Sequence, residues 1–167
     1  RGLFIVLLLA LQSCGSSPPV RFFALDPMPI EYAPDPEDAA VLGVGPIRIA
    51  DYLQRSQLLK RGVESELIFD EFNRWAEPLS TAVHRTLANN VDALLDTVAV
   101  VSFPSTAGLD YRLVGRVHRF DVDFSGLAVL DVQWRLEDAN GEDLTPPRRT
   151  SYQHSANRRN DPAAGVA

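Results

Sequence analysis

Residues Leu127–Glu137 alternate almost without fault. Ala128, Leu130, Val132, Trp134 and Leu136 fall on one parity; Asp131, Gln133, Arg135 and Glu137 fall on the other. Side chains of a strand point to opposite faces in turn, so this segment reads as a strand with one apolar and one wetted face. That is the pattern of an antiparallel sheet covered on one side. Asn140-Gly141 follows as a tight-turn signal, and a return strand is expected from about Arg148 to Ala156, after Pro146-Pro147. A half-covered sheet needs a cover, and the chain offers one clear helix. Leu79, Val83, Leu87, Val91 and Leu95 recur every fourth residue, with Ala76, Ala82 and Leu94 beside them. Pro78 is tolerated only in a first turn, which predicts a helix start within Asn73–Pro78. Thr81, His84, Arg85 and Asp92 then lie on its outer face.

The rest of the chain is rich in strands. Val20–Leu25 reads as a short strand, and Asp26–Asp38, with four prolines and five acids, as a loop. Ala40–Ile49 is a strand that changes face: Leu42 and Val44 share one parity, Ile47 and Ile49 the other. The switch falls at Gly45-Pro46, which predicts a bulge or kink with Pro46 on an edge. Leu58–Arg61 and Glu66–Phe72 read as a hairpin, Val98–Phe103 as a buried strand, and Tyr111–Val122 as a long strand changing face near Val117–Phe120. Asp161-Pro162 reads as the N-cap and first position of a helix, so a truncated C-terminal helix is expected. The fold class is therefore α+β: a mixed, largely antiparallel sheet with one main helix packed on one face.

The N-terminus carries a different signal. Leu3–Leu11 is an unbroken apolar run behind Arg1, too short to span a bilayer, which takes ~20 residues. It fits the core of a secretory signal peptide at residues 1–13, with the chain starting inside that signal. Leu11-Gln12-Ser13-Cys14 then resembles the lipobox of bacterial lipoproteins. That resemblance implies cleavage before Cys14, diacylglycerol on its sulfur and an acylated amine. Gly15-Ser16-Ser17-Pro18-Pro19 reads as a tether within residues 14–19, leaving 20–167 as the folded domain. Gly15, where an inner-membrane retention signal would commonly place Asp, implies an outer-membrane destination facing the periplasm.

Composition narrows the function classes. A formal net charge of −6 argues against a nucleic-acid partner, which needs a basic face. One cysteine excludes a disulfide framework and a cysteine-rich zinc site, and His84, His118 and His154 fall on separate elements. No P-loop or Gly-x-Ser-x-Gly elbow is present, and no cofactor is expected. Glu64, Glu66, Asp70 and Glu71 form an acidic cluster that reads as a solvated hairpin rather than a paired-carboxylate site. Arg148-Arg149 and Arg158-Arg159 suit either anionic headgroups or a wet strand edge. Trp75 and Trp134 read first as core residues, with Trp75 beside Tyr52-Leu53 as an alternative anchor for a partner.

Two segments carry a family resemblance. Val44-Gly45-Pro46-Ile47-Arg48-Ile49-Ala50-Asp51-Tyr52-Leu53-Gln54-Arg55-Ser56-Gln57-Leu58 resembles the pattern VGPV-x-[VIL]-P-x-Y-L-D-R-P-Q-[LIV], and Arg74-Trp75-Ala76-Glu77-Pro78-Leu79 resembles R-W-A-E-P-L. Tyr111-x-Leu113, Arg119-Phe120-Asp121 and Trp134-x-Leu136 follow in order. The chain thus resembles the ABC-type transport auxiliary lipoproteins, among them the C component of the paraquat-inducible system. It departs at Ala50, Gln54 and Ser56, where the pattern has Pro, Asp and Pro. The resemblance implies a non-enzymatic, lipid-anchored periplasmic protein. Its partners would be an MCE (mammalian cell entry) domain protein and ABC transporter components in lipid traffic between membranes, with homo-oligomers possible. Tyr52, Leu53, Arg55 and Trp75 are the candidate docking residues. An envelope-assembly or secretion accessory lipoprotein and a periplasmic hydrolase are the alternatives.

Overall fold

A computed structural model describes residues 17–29, 39–95, 97–105 and 108–155. The leader, Cys14, most of the proline-rich loop and the expected C-terminal helix lie outside these residues. In chain order the elements are β1 (Arg21–Phe23), β2 (Ala40–Ile49), β3 (Gln57–Arg61), β4 (Leu67–Trp75), α1 (Leu79–Leu94), β5 (Val98–Ser102), β6 (Tyr111–Asp123), β7 (Leu127–Asp138) and β8 (Arg148–Ser155). They form one mixed sheet of eight strands. Its longest ladders, β6 with β7 and β7 with β8, are antiparallel. The alternation of Leu127–Glu137 therefore does what its period dictates.

The spine of the sheet is β6. Along one edge it pairs with β7, from Tyr111↔Asp138 to Val122↔Ala128. Its other edge is divided between two strands. β2 runs parallel to it from Leu42↔Tyr111 to Ile49↔Val117, and β3 takes over at Lys60↔Val122 and Arg61↔Asp123. A bulge between Val117 and Arg119 sits at the handover. The expected change of face in this strand is that bulge.

The flaw in β2 is also a bulge, between Val44 and Ile47. Pro46 does not lie on an edge strand, as the sequence suggested, because β2 sits between β5 and β6. The bulge itself spares the proline a ladder donor. Conversely, β5 is not a buried strand but a half-buried edge, parallel to β2.

The helix starts later than predicted. β4 continues through Trp75, and Pro78 serves as the N-cap rather than a first-turn residue. Leu79 and Ala82 are buried, and Val83 and Leu87 are half-buried against the sheet. The face expected to be outer is partly covered. Arg85 Nη2 and Thr86 Oγ1 donate to the Leu25 carbonyl, and Asn90 Oδ1 accepts from the Met28 N–H at 2.7 Å. His84, expected on the exposed side, is half-buried. Its Nε2 accepts the Ile47 N–H at 2.8 Å and its Nδ1 meets the Ser80 carbonyl at 2.7 Å. Helix and bulge are thereby tied: the imidazole satisfies a backbone donor just beyond the bulge.

Gly45 lies beneath that ring with φ +113°, and a Cβ there would approach Phe103 Cβ to 2.7 Å and the His84 ring to 3.1 Å. Both the dihedral and the space exclude a side chain. Gly45→Ala is expected to lower stability by about 2 kcal/mol or more, read as a reduced urea midpoint with an unchanged m-value.

Candidate functional site

The two motif segments meet at the handover on β6. A 3-10 turn, Asp51–Leu53, follows β2 directly. Ahead of it the Ala50 N–H donates to the Val117 carbonyl at 3.1 Å. Tyr52 Oη donates to the His118 carbonyl at 2.6 Å. These two donors occupy acceptors of β6 at the point where β2 has ended and β3 has not begun. Burial pushes the Tyr52 phenol above its ordinary value, which keeps it protonated as a donor. Leu53 points into the core and is 4% exposed. Trp75 is also buried, its ring stacks on Phe120 at 5.6 Å between centroids, and its backbone N–H donates to the Ser56 carbonyl at 2.7 Å.

The four candidate docking residues are thus gathered in one region, but in different roles. Leu53 and Trp75 support the turn from below and offer almost no surface to a partner. Tyr52 is half-buried and bonded to β6. Arg55 is exposed, with its guanidinium 5.0 Å from the Phe69 ring centroid.

Beside this turn lies a buried charge cluster that the sequence did not reveal. The Asp121 side chain is 0% exposed. It accepts from Arg61 Nε and Nη2 at 2.9 and 2.8 Å, and from Arg119 Nε at 3.0 Å to each oxygen. Asp121 alternates with Phe120 and Val122 as a wetted residue would. It is buried because β3 brings Arg61 onto the same edge of β6. The acidic hairpin is simpler. Asp70 binds Lys60 at 2.8 Å and Glu71 reaches Arg74 at 3.4 Å, so both serve the structure.

On the helix side of the sheet runs an apolar trough of about 480 Å³. Its floor includes Val117, Leu130 and Val132, its wall is Val83 and Leu87, and Asn90, Tyr152 and His154 supply the polar rim. The apolar parity of β7 lines this trough: α1 covers only part of the sheet face, so Ala128, Leu130, Val132 and Trp134 are half-buried rather than sealed. Among the described residues no group of His, Cys, Asp and Glu is arranged to hold a metal ion.

Two consequences can be measured. Removing the Asp121 carboxylate leaves two arginines facing each other without a counter-charge. Asp121→Ala is expected to cost about 3 kcal/mol or more, read by chemical denaturation. Asp70 gives a pH signature. Burial raises its carboxyl, but hydrogen bonds from Lys60, Asn73 and the Phe72 N–H outweigh burial and hold it at about 2, below its ordinary 3.8. A carboxylate depressed in the folded state stabilises it above the unfolded value, and that stability is lost as pH falls towards the folded one. Asp70→Asn is therefore expected to be less stable than the parent at pH 6 and to converge with it near pH 2, in urea midpoints taken across that window.

Comparison with known proteins fits this architecture. Residues 23–167 match the family described as ABC-type transport auxiliary lipoprotein component. Among curated proteins no relative matches. Among solved structures, the crystal structure of an uncharacterized protein aligns with a TM-score of 0.72 at 19% identity, over 89% of this chain and 87% of that one. Protein XCC0632 from Xanthomonas campestris, of family DUF330, aligns with a TM-score of 0.67 at 18% identity, over 87% and 83% of the two chains. At these identities the likeness to the solved structures is one of fold. The family match spans both motif segments and every strand from β2 to β8, and the chain belongs to the ABC-type transport auxiliary lipoprotein family.

Proposed function

We propose that this protein is held on the periplasmic face of the outer membrane by acyl chains on Cys14 and serves an MCE-type, ABC-driven lipid transport system as its accessory component. The observation that carries this reading is the order of signals: an apolar leader, a single cysteine in Leu11-Gln12-Ser13-Cys14, a short tether, and then a domain of a transport auxiliary lipoprotein family from residue 23. Each buried acyl methylene contributes about 0.8 kcal/mol, so one chain holds marginally and two or three hold firmly. Anchoring raises the local concentration of the domain, so modest contacts with a partner suffice.

The contact surface in this reading is the turn after β2, supported by Leu53 and Trp75 and presenting Tyr52 and Arg55. The MCE protein is the partner. The apolar trough gives the lipid assignment chemical support, since its size and lining are those of sites for small apolar ligands.

Cys14→Ser is the direct test. The variant is expected to leave the outer-membrane fraction and to impair envelope integrity, while the parent stays membrane-bound; a variant that still fractionates with outer membranes overturns the anchor. Arg55→Glu tests docking. It is expected to reduce co-purification with an MCE protein from crosslinked envelopes without unfolding the domain, because Arg55 is exposed. Recovery of cell-wall synthesis proteins in place of an MCE protein would return the envelope-assembly alternative.

A further inference from the structure

The sheet face opposite the trough carries a row of cations without counter-charges. Arg48 on β2 stands in register with Arg116 on β6, and Arg116 with Gln133 on β7. Neighbouring strands are about 4.8 Å apart, so the two guanidiniums project side by side. Like charges in register destabilise a sheet, yet among the described residues neither guanidinium has an ion pair or hydrogen bond. Arg112 and Arg135 flank the row in the same depression, which has a volume of about 310 Å³ and is bounded by Pro46 and Pro147. These two share Glu137, at 3.8 and 2.6 Å, and Arg135 also reaches Asp143 at 2.6 Å. Four arginines thus face two carboxylates. Arg112 Nε is buried with no hydrogen-bond partner, an arrangement that is costly unless something accepts from the site. Gln133 Oε1 is taken by His118 Nε2 at 3.2 Å, which leaves the Gln133 NH₂ as a further donor. All this stands on a chain whose net charge is −6.

We propose that this depression is a binding site for a phosphate group, with Arg48 and Arg116 as its paired anchors. Two adjacent guanidiniums offer forked donors that match the oxygens of a phosphate, where a diffuse positive surface would not. The phosphate is either that of a phospholipid headgroup or a free one. The inference stands on the depression alone and does not depend on the Cys14 anchor or on docking through Arg55.

The test is titration calorimetry of the full chain in detergent, at fixed ionic strength, with inorganic phosphate in one arm and dihexanoyl phosphatidic acid in the other. Saturable binding is expected in at least one arm. Tighter binding of the lipid identifies a headgroup site, and equal or tighter binding of inorganic phosphate identifies a free-phosphate site. R48Q/R116Q is expected to weaken the interaction at least about tenfold. R48K/R116K, which keeps the charge but removes the forks, is expected to weaken it as well. R21Q/R74Q removes the same charge on β1 and β4, at the far end of the sheet, and is expected to bind like the parent. Circular dichroism confirms folding, and the lysine pair supplies the decisive comparison if the glutamine pair unfolds. Absence of saturable binding in both arms overturns the site and leaves the row to an acidic protein surface. Equal weakening by R21Q/R74Q, or unchanged binding by R48K/R116K, reduces it to diffuse charge and also overturns it.

Discussion

The hydrogen bond from Tyr52 to the His118 carbonyl closes the one place where the spine of the sheet changes partner. β6 can pair with β2 and β3 on the same edge only if the stretch between them is sealed. A backbone carbonyl left unpaired in that interior would cost roughly 1–3 kcal/mol. The Ala50 N–H and Tyr52 hydroxyl supply the missing donors. Leu53 and Trp75 fill the space beneath, and Arg61, arriving with β3, pairs with Asp121 from the spine. Both motif segments are explained by this closure. One delivers the tyrosine and leucine immediately after β2; the other places the tryptophan at the end of β4, against Phe120.

The periodic elements were legible in the sequence for a physical reason. Strand alternation in β7 and the fourfold spacing in α1 are local consequences of one face meeting apolar surroundings. The bulges were legible too, because a change of parity leaves a mark at Gly45-Pro46 and near Val117. Long-range matters were not. Nothing local distinguishes Asp121 from a wetted carboxylate or His84 from a solvated imidazole. The first is buried by a strand some 60 residues away in the chain, and the second caps a donor 37 residues away. Trp75 and Leu53 lie beside Tyr52 but face the core, and sequence proximity does not reveal which side of a turn does so. The arginine row was invisible for a related reason: Arg48 and Arg116 become neighbours only through parallel register.

The sheet has two chemically distinct faces. The helix side offers an apolar trough, and the other side offers clustered guanidiniums. The proposed phosphate site and the apolar trough thus lie on opposite sides of one layer, an arrangement that would suit the proposed role in lipid transport.

The proposed reading as an envelope fixture depends most on the chemistry at Cys14, which would turn a small domain into a membrane component. Intact-mass and peptide mass spectrometry of the protein isolated from its native membranes measures that chemistry directly. The expected spectrum shows Cys14 as the first residue, carrying a diacylglyceryl thioether and an acylated amine. A free thiol at Cys14, or a leader still joined to it, would contradict the anchor and the placement in the envelope that rests on it.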